Sequence, residues 1–462
     1  MALQVVILAA GQGTRMHSKT PKVLHALSGT PMLERVLDTA KALKPIAIHV
    51  IIGHEGERIQ AALSHYDVNW VWQKEQLGTG HALMQALPHI SEDDLVLVLS
   101  ADVPLIQAAL LESLIARAIP DETSGKTPLV LMLALLSDPT GLGRVLRDTD
   151  GQIHALVEEK DATETERKIH EIYSGMCCAK ARDLAIWLPK LSAGNAQEEY
   201  YLTDVIELAA KDSHPIGYIH AAALWMIQGV NDRMQLQNLE RIWQERQAIA
   251  LMEKGVTVAD KKRLDIRGQL TCEQDVFLDV GLVLSGILDF SGGVRIGPHC
   301  VLTNVKLGPN TIIEAHSVLE DCEIGADCVV GPFARIRPGT VLADNCKIGN
   351  FVETKKAVFG EGSKASHLSY LGDVSIGKQV NIGAGTITCN YDGVNKHQTV
   401  IEDGAFIGSD TQLVAPVTVG KNATIGAGTT LRRDAPADKL TLTATQQKMV
   451  AGWTRPKQKS EC

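Results

Sequence analysis

The hydrophobic pattern changes partway along the chain and divides the sequence into two architectures. In the first part, short apolar runs alternate with amphipathic stretches. The runs predict strands at residues 4–10, Ala47–Ile52, Asn69–Trp72 and Leu95–Ser100, and the stretches predict helices such as 32–43 and 80–86. Strands that alternate with helices are typical of a mostly parallel sheet with helices on both faces. This part is therefore predicted to be a Rossmann-like α/β domain over residues 1–229.

Residues 231–254 have a helical pattern that carries apolar and charged positions in turn. We interpret residues 230–254 as a long helix that links two domains. The helix carries few obvious docking residues, so the two halves are expected to be separable.

The second part, residues 255–462, is an internal repeat in which aliphatic residues recur every six positions. One such series is Ile324, Val330, Ile336, Leu342 and Ile348, and glycine often follows the aliphatic residue. A period of six fits neither a helix nor a simple strand, and it is the signature of a parallel β-helix with three hexapeptides per coil. Positions 18 apart are expected to stack.

The repeat explains most of the cysteines and marks two interruptions. Cys300, Cys322, Cys328 and Cys346 occupy one inward-facing position of the hexapeptide, which favours small buried residues over metal ligands or disulfides. The hexapeptide pattern breaks at residues 353–373 and 386–398, and a solenoid expels insertions as surface loops.

Composition excludes several classes of protein. The 462 residues carry 45 basic and 54 acidic side chains, a formal net charge of −9, so nucleic-acid binding through a global positive field is not expected. The longest apolar run has eight residues, far short of the roughly 20 that span a bilayer. The N-terminus lacks the basic segment of a signal peptide. We expect a cytoplasmic protein without a membrane partner.

A glycine loop follows the first predicted strand. It begins at Gly11 and Gly13 and continues to Arg15 and Lys22. Neither the dinucleotide fingerprint nor the P-loop pattern is present, but two fixed cations beside backbone N–H groups suit a triphosphate. An ordinary glycine turn is the alternative.

These residues resemble the signature of sugar-1-phosphate nucleotidyltransferases. Together with the hexapeptide half, residues 4–455 resemble the bacterial bifunctional N-acetylglucosamine-1-phosphate uridyltransferase/glucosamine-1-phosphate acetyltransferase family. The resemblance implies a left-handed β-helix that acetylates glucosamine-1-phosphate from acetyl-CoA. It also implies a first domain that forms UDP-N-acetylglucosamine from UTP with release of pyrophosphate, for cell-wall precursor synthesis.

The resemblance implies the residues of the first site. Arg15 and Lys22 are candidates for charge neutralisation, and Asp102 and Asn231 for holding Mg²⁺. Asp102 as a helix N-cap is the alternative. Candidate contacts to UTP or UDP-N-acetylglucosamine are Leu8, Ala9, Ala10, Gly11, Lys22, Gln73, Gly78, Thr79, Ser100, Ala101, Asp102, Gly143, Glu158, Tyr173 and Asn231. The chemistry is in-line attack on the α-phosphorus, which depends on positioning and charge rather than on a general base.

Acetyl transfer requires a base near neutral pH, because the ammonium must lose a proton before it attacks the thioester. The resemblance implies His367 as that base, with a surface histidine as the alternative. It implies Arg337, Lys355, Tyr370 and Asn381 around glucosamine-1-phosphate. Acetyl-CoA would lie along Ala384, Asn390, Tyr391, Ser409 and Ala427. In related β-helix acyltransferases this groove lies between subunits, so a homotrimer is implied.

Two positions depart from the family pattern. Tyr173 stands where an asparagine usually contacts the sugar, and Ala444 stands where an arginine usually reaches coenzyme A.

Two other functions share these folds. One is a nucleotidyltransferase whose β-helix is only a scaffold, and His367, Lys355 and the 386–398 loop argue against it. The other is a non-enzymatic exchange-factor subunit, and intact Arg15, Lys22 and Asp102 argue against it.

Overall fold

The computed structural model describes residues 1–119, 126–444 and 447–455. The chain forms two compact units that divide between Trp243 and Gln244. The boundary lies inside a long helix, and each unit has its own core.

The first unit alternates strands and helices, as predicted. Its strands are β1 (Leu3–Leu8), β2 (Ala26–Leu27), β3 (Thr30–Pro31), β4 (Ala47–Ile52), β5 (Asn69–Trp72), β6 (Leu95–Ser100), β7 (Leu129–Leu135), β8 (Arg144–Arg147), β9 (Ile153–Val157), β10 (Glu171–Lys180) and β11 (Ile216–His220). The α-helices of the chain are α1 (Met32–Ala42), α2 (Gly56–Ala62), α3 (Thr79–Ala86), α4 (Ala108–Arg117), α5 (Ala181–Trp187), α6 (Asp204–Lys211) and α7 (Arg233–Glu253).

The main sheet has the order β11-β7-β10-β6-β1-β4-β5. Strands β8 and β9 form a hairpin, and β8 also pairs with β10. Strands β5, β4, β1 and β6 are parallel, as are β7 and β11. Strand β10 is antiparallel to both β6 and β7. The sheet is thus mixed, and the carboxyl ends of β1, β5 and β6 lie at one edge.

Both faces of this sheet are buried, because successive side chains of a central strand point to opposite sides. Val5 and Ile7 of β1 belong to a core with α1, α2 and α4. Val6 belongs to a second core with α3, α5 and α6. The prediction of helices on both faces is confirmed.

Helix α7 contributes to the cores of both units. Leu239 is fully buried in a cluster of the first unit with Met16 and Val230. Ala248 and Leu251 belong to the core of the second unit. The prediction that this helix carries few docking residues is therefore wrong. These buried residues lie on two different faces of the helix, so no single apolar stripe marks them in the sequence.

The second unit is a parallel β-helix. Its strands are β12 (Thr257–Val258), β13 (Leu264–Cys272), β14 (Phe277–Leu278), β15 (Leu282–Phe290), β16 (Arg295–Ile296), β17 (Val301–Leu307), β18 (Ile312–Ile313), β19 (Val318–Ile324), β20 (Val329–Val330), β21 (Arg335–Ile336), β22 (Val341–Leu342), β23 (Lys347–Asn350), β24 (Glu353–Phe359), β25 (Lys364–His367), β26 (Tyr370–Ile376), β27 (Asn381–Ile382), β28 (Ile387–Cys389), β29 (Thr399–Ile401), β30 (Phe406–Ile407), β31 (Gln412–Val414), β32 (Val417–Val419), β33 (Thr424–Ile425), β34 (Thr430–Leu431) and β35 (Leu440–Thr441).

Each hexapeptide supplies one strand to one face of the solenoid. Ile324, Val330, Ile336, Leu342 and Ile348 end or occupy successive strands from β19 to β23, and all five are buried. Equivalent positions on neighbouring coils lie 18 residues apart in some pairs, such as Val329 and Lys347, and 17 apart in others, such as Lys347 and Lys364. The predicted spacing of 18 is thus too uniform, because some corners use one residue fewer.

The cysteines of the repeat lie inside the solenoid. Cys300, Cys322, Cys328 and Cys346 are buried, and every cysteine that the structure describes is a free thiol. Burial raises the pKa of the Cys300 thiol to about 11. This agrees with their interpretation as small buried residues.

One of the two predicted interruptions is real. Asn381 pairs with Phe406, 25 residues on, so an insertion lies between β27 and β30. Residues 353–373 instead form regular coil strands, in which Glu353 pairs with Tyr370 and Lys347 with Lys364. The prediction of a loop there is wrong, because polar residues replace the usual aliphatic ones without changing the backbone path.

Candidate active sites

A cleft of about 500 Å³ opens at the carboxyl edge of the sheet in the first unit. Parallel strands bring their carboxyl ends to one edge, which is where open α/β sheets bind ligands. The cleft is lined by Leu8, Ala9, Ala10, Gly11, Gln12, Gly13, Thr14, Lys22, Val23, Gln73, Gln76, Gly78, Thr79, Ala82, Ser100, Asp102 and Glu199. It thus gathers most of the first-domain residues that the sequence analysis singled out.

The glycine loop needs glycine for a packing reason. Gly13 has φ of 62°, and a Cβ built there would lie 2.5 Å from the Cβ of Lys22. Any larger residue would push Lys22 away from the cleft. The loop thus keeps its backbone close to Lys22, and the short helix Thr14–Met16 follows it.

Three polar side chains from distant parts of the chain meet at the cleft. The Lys22 ammonium lies 2.5 Å from Asp102 Oδ2 and 3.2 Å from Asn231 Oδ1. The backbone N–H of Val230 donates to the Asp102 carbonyl, and the backbone N–H of Asn231 donates to Gln235 Oε1 at 2.6 Å. The segment before α7 is thereby tied to the end of β6, and it carries Asn231 to the Asp102 carboxylate.

Asp102 and Asn231 together present carboxylate and amide oxygens, which Mg²⁺ prefers in proteins. Mg²⁺ usually takes only one or two carboxylates from the protein and keeps waters and substrate phosphates as its other ligands. The described residues contain no group of three or more acidic, histidine or cysteine side chains arranged for a metal. The donor set therefore fits a metal held jointly with a nucleotide. Asp102 does not cap a helix, since α4 begins at Ala108.

Gln73 lies buried at the end of β5. Its amide nitrogen donates to the Gly78 carbonyl at 3.0 Å and lies 3.1 Å from Nδ1 of His81. This fixes the side chain at the wall of the cleft. Gln76 also lines the cleft and was missed. Gln76 lies between two residues that the sequence analysis did name, which is the signal that could have found it.

A second pocket of about 220 Å³ adjoins the cleft and shares Leu8, Thr79 and Ser100 with it. It contains the remaining predicted sugar-side residues Gly143, Glu158 and Tyr173. A nucleotide in the larger cleft would therefore have a sugar-sized space next to it.

Two carboxyl groups at or next to this pocket, Glu158 and Asp204, have raised pKa values. Burial raises the pKa of Glu158, and the nearby Asp161 and Asp204 raise it further. Burial, Glu207 and Asp161 raise the pKa of Asp204 to about 6. Glu158 is thus better able than a surface glutamate to hold a proton and donate a hydrogen bond.

Two predicted residues lie away from the cleft surface. Arg15 is exposed and Ala101 is buried, and neither is among the cleft's lining residues. Tyr173 is only 8% exposed, and the Cys177 thiol lies beside its hydroxyl. Tyr173 therefore lines the sugar-side pocket with a buried ring.

In the second unit, cations from neighbouring coils lie side by side. Strand pairing puts Arg335 beside Glu353, and continuing that register puts Arg337 beside Lys355. Arg337 Nη1 donates to Glu353 Oε1 at 2.7 Å. The ammonium of Lys396 and then the guanidinium of Arg337 lower the pKa of Lys355. Like charges held close together favour an anion.

Lys396 was missed by the sequence analysis. It belongs to the insertion after β28, which the pattern marked as a surface loop but could not orient. Its position beside Lys355 depends on how that loop folds back.

His367 lies at the end of β25, paired with Asn350 of the preceding coil. Its Nδ1 lies 3.0 Å from Asn350 Oδ1, and its ring is exposed. An amide oxygen can only accept a hydrogen bond, so Nδ1 carries the proton and Nε2 keeps its lone pair. The ring therefore presents a basic nitrogen away from Asn350.

The other predicted residues of this unit lie along the same edge or at its insertion. The register of β25, β27, β30 and β33 puts Ala384, Ser409 and Ala427 on the coils that follow His367, at equivalent positions. Asn390 Nδ2 donates to Asp373 Oδ2 at 2.6 Å, and the exposed Tyr391 donates to the Gly393 carbonyl at 2.5 Å. Tyr370 and Asn381 are half-buried, and Ala444 is exposed.

The fold and the cleft define a nucleotidyltransferase joined to a hexapeptide-repeat transferase. Residues 5–132 match the MobA-like NTP transferase domain. Residues 321–356 and 398–433 match the six-repeat bacterial transferase hexapeptide family.

Curated relatives match over the whole chain. The bifunctional protein GlmU of Legionella pneumophila (strain Corby) is 60% identical over 459 residues, which are 99% of each chain. The bifunctional protein GlmU of Alkalilimnicola ehrlichii is 53% identical and covers 100% of this chain and 98% of its own. That of Bordetella parapertussis is 51% identical and covers 99% and 100%.

The chain belongs to the bifunctional GlmU family. It is a transferase that acetylates glucosamine-1-phosphate from acetyl-CoA and then transfers a uridylyl group from UTP, which yields UDP-N-acetylglucosamine in two steps. The family and function expected from the sequence are confirmed, and the β-helix is the left-handed form of hexapeptide transferases. Among the described helices, none is long and apolar enough to cross a membrane.

Proposed function

We propose that uridylyl transfer takes place in the cleft of the first unit and acetyl transfer on the edge of the β-helix that carries His367. The proposed uridyltransferase domain is residues 1–229, with 230–254 as the linking helix and 255–462 as the acetyltransferase domain. The observation that carries the first assignment is the convergence of Lys22, Asp102 and Asn231 at one point of the cleft.

The metal of the first site is proposed to be Mg²⁺. Asp102 and Asn231 would hold it, and when bound it would neutralise charge on the UTP phosphates. Lys22 and the backbone N–H groups of the glycine loop bind the same phosphates. Gln73 orients the base, and the pocket of Glu158 and Tyr173 holds the sugar phosphate so that its oxygen faces the α-phosphorus. The P–O bond to pyrophosphate then breaks as the new one forms.

The second site works through His367. Its Nε2 accepts a proton from the ammonium of glucosamine-1-phosphate, and the free amine attacks the thioester carbonyl of acetyl-CoA. The C–S bond then breaks, and coenzyme A leaves as a thiolate that takes up the second proton lost by the nitrogen. Asn350 supports this role, because it fixes the proton on Nδ1. Arg337 and Lys355 neutralise the sugar phosphate, with Tyr370 and Asn381 at the sugar. Acetyl-CoA lies along Ala384, Ser409 and Ala427, with Asn390 and Tyr391 at its side.

A homotrimer built through the β-helix is proposed as the functional assembly. Phe333 and Phe351 stack with ring centroids 5.5 Å apart on neighbouring coils. They are 48% and 56% exposed, and Leu368, directly after His367, is 62% exposed. Large apolar side chains left open to solvent in a row are typical of an interface. A cytoplasmic location is also proposed, since the described cysteines are free thiols.

Separate assays on two single variants test the assignment. Asp102→Asn keeps the size of the side chain but removes a carboxylate, so uridylyl transfer should fall about 100-fold or more while acetyl transfer stays near wild type. His367→Ala should lower acetyl transfer about 10²–10⁴-fold and leave uridylyl transfer intact. Residual acetylation should rise with pH, because free amine then forms without a base.

The competing interpretation is that His367 only packs the surface. In that case His367→Ala would lower thermal stability and leave kcat for acetylation largely unchanged. If either variant lost both activities while remaining folded, the assignment to two separate sites would be wrong.

A further inference from the structure

The insertion between β27 and β30 forms a short hairpin, here called the insertion hairpin (residues 390–397). Tyr391 and Lys396 form an antiparallel bridge across it, and the backbone N–H of His397 donates to the Asn390 carbonyl at 2.8 Å. The hairpin is therefore closed by backbone hydrogen bonds rather than left as an open loop.

The base of the hairpin lies at the cations of the second site. Asn390 donates to Asp373, which directly follows Gly372, and Gly372 is the strand partner of Lys355. A Cβ at Gly372 would lie 2.5 Å from the Tyr370 hydroxyl and 2.9 Å from Asn390 Nδ2. Folding of the hairpin onto this point brings Lys396 to Lys355, and the lowered pKa of Lys355 agrees with that approach.

Three cations held together repel one another, so something must keep Lys396 in place before an anion arrives. Lysine side chains are flexible, and an unrestrained Lys396 would turn towards solvent. The restraint must act on the backbone next to Lys396, because the described contacts of the ammonium group are with another cation.

Asp392 and His397 supply such a restraint. Asp392 Oδ1 accepts the backbone N–H groups of Val394 and Asn395 at 2.8 and 2.7 Å, which fixes the turn. The other oxygen, Oδ2, lies 2.8 Å from Nε2 of His397, the residue after Lys396. One carboxylate thus joins the turn of the hairpin to its returning strand.

We propose that His397 is a positioning residue, which acts through Asp392 to hold Lys396 against Lys355 and so completes the binding site for the phosphate of glucosamine-1-phosphate. This inference rests on the proposed role of Arg337 and Lys355 as phosphate ligands. In this role His397 acts through Asp392 and not on the reacting atoms.

The test is steady-state acetylation by the full-length protein, with the KM for glucosamine-1-phosphate separated from kcat. His397→Ala should raise that KM roughly three- to tenfold, because the pair is partly exposed and its coupling is modest. The kcat and the KM for acetyl-CoA should change by less than about twofold. His397→Gln can still donate to Asp392 from its side-chain amide and should restore most of the KM.

A double-variant cycle shows whether His397 acts through Lys396. Lys396→Ala should raise the same KM at least as much as His397→Ala, and His397→Ala should add little in the Lys396→Ala background. Uridylyl transfer is the internal control and should be unchanged in each variant.

The inference is overturned if His397→Ala leaves the KM unchanged, if it lowers kcat instead, or if its effect persists in full without Lys396. Failure of the underlying assignment gives a different result. If Arg337→Ala and Lys355→Ala leave the KM for glucosamine-1-phosphate unchanged, the phosphate does not bind there, and the role of His397 fails with it.

Discussion

Single residues of the first unit link its stability to pH. His49 is fully buried on β4, and its Nε2 lies 3.2 Å from Gln4 Oε1. Within the described part of the chain, its Nδ1 has no hydrogen-bond partner. Burial, and then the neighbouring His89, lower the pKa of His49. The folded protein therefore holds this ring neutral, while the unfolded chain protonates it near pH 6.5.

The sign of the effect follows from proton linkage. Because the pKa of His49 is lower in the folded state, the unfolded chain binds more protons at acidic pH. The contribution of the neutral His49 ring to the free energy of unfolding is therefore fully present above about pH 6.5 and is lost as the pH falls below it. We expect the free energy of unfolding of the wild type, measured with urea, to decrease between pH 7 and pH 5. His49→Gln, which cannot be protonated, should lose less over the same range. Equal losses in the two proteins would mean that other groups cause the decline.

Most candidate residues of the first site were predicted from the family resemblance, and several of them follow buried strands whose ends share one edge of the sheet. Asp102 follows β6, and Gln73 follows β5. Asn231 comes more than 100 residues later, and only the family resemblance linked it to Asp102. Lys396 could not be predicted, since its position depends on side-chain hydrogen bonds within the insertion hairpin.

At the scale of elements, the two halves of α7 pack in the cores of different units. Leu239 is fully buried in a cluster of the first unit, whereas Leu251 packs in the core of the second. Five of the six tryptophans lie in the first unit, so tryptophan fluorescence reports mainly on that unit.

We predict that Leu239→Ala destabilises the first unit by about 2–5 kcal/mol, the usual cost of removing a buried leucine side chain. Its denaturant midpoint by tryptophan fluorescence should fall. Met234→Ala, at a position that is 74% exposed on the same helix, should stay within about 0.5 kcal/mol of wild type. Leu251→Ala should leave the fluorescence transition in place. A lowered fluorescence midpoint in Leu251→Ala would contradict the assignment of that half to the second unit.

Element prediction succeeded where short apolar runs marked buried strands and failed where polar residues interrupted the hexapeptide pattern. The strands Ala47–Ile52, Asn69–Trp72 and Leu95–Ser100 were predicted with their observed bounds. Residues 353–373 look irregular in sequence, yet backbone hydrogen bonds between coils keep them in register. In a β-helix the neighbouring coil determines the path of a strand, so a polar residue at an outward position does not interrupt it.

At the scale of the whole molecule, the sequence predicted two units joined by a helix over residues 230–254. The structural division lies between Trp243 and Gln244, inside that helix. A helix gives no compositional signal at a boundary of this kind, because both of its halves are amphipathic.

The position of the division determines which fragments should work. Val230 is fully buried and Asn231 contacts Lys22, so a fragment of residues 1–229 lacks part of both core and cleft. Residues 1–254 should retain uridylyl transfer near the wild-type rate, and residues 1–229 should lose it by about 100-fold or more. Equal activity of the two fragments would show that Asn231 is dispensable.

The β-helix should likewise need the second half of α7. The Gln244 side chain is buried, and it donates to the Ile266 carbonyl at 2.8 Å and accepts the Ile266 N–H at 2.7 Å. Ile266 belongs to β13, the first strand of its ladder, so Gln244 covers a strand edge that would otherwise be open. Residues 233–462 should therefore sediment as a trimer and acetylate glucosamine-1-phosphate, whereas residues 255–462 should melt at a lower temperature or aggregate. An active monomer from residues 233–462 would contradict a site between subunits, because His367 and the acetyl-CoA edge would then suffice within one chain.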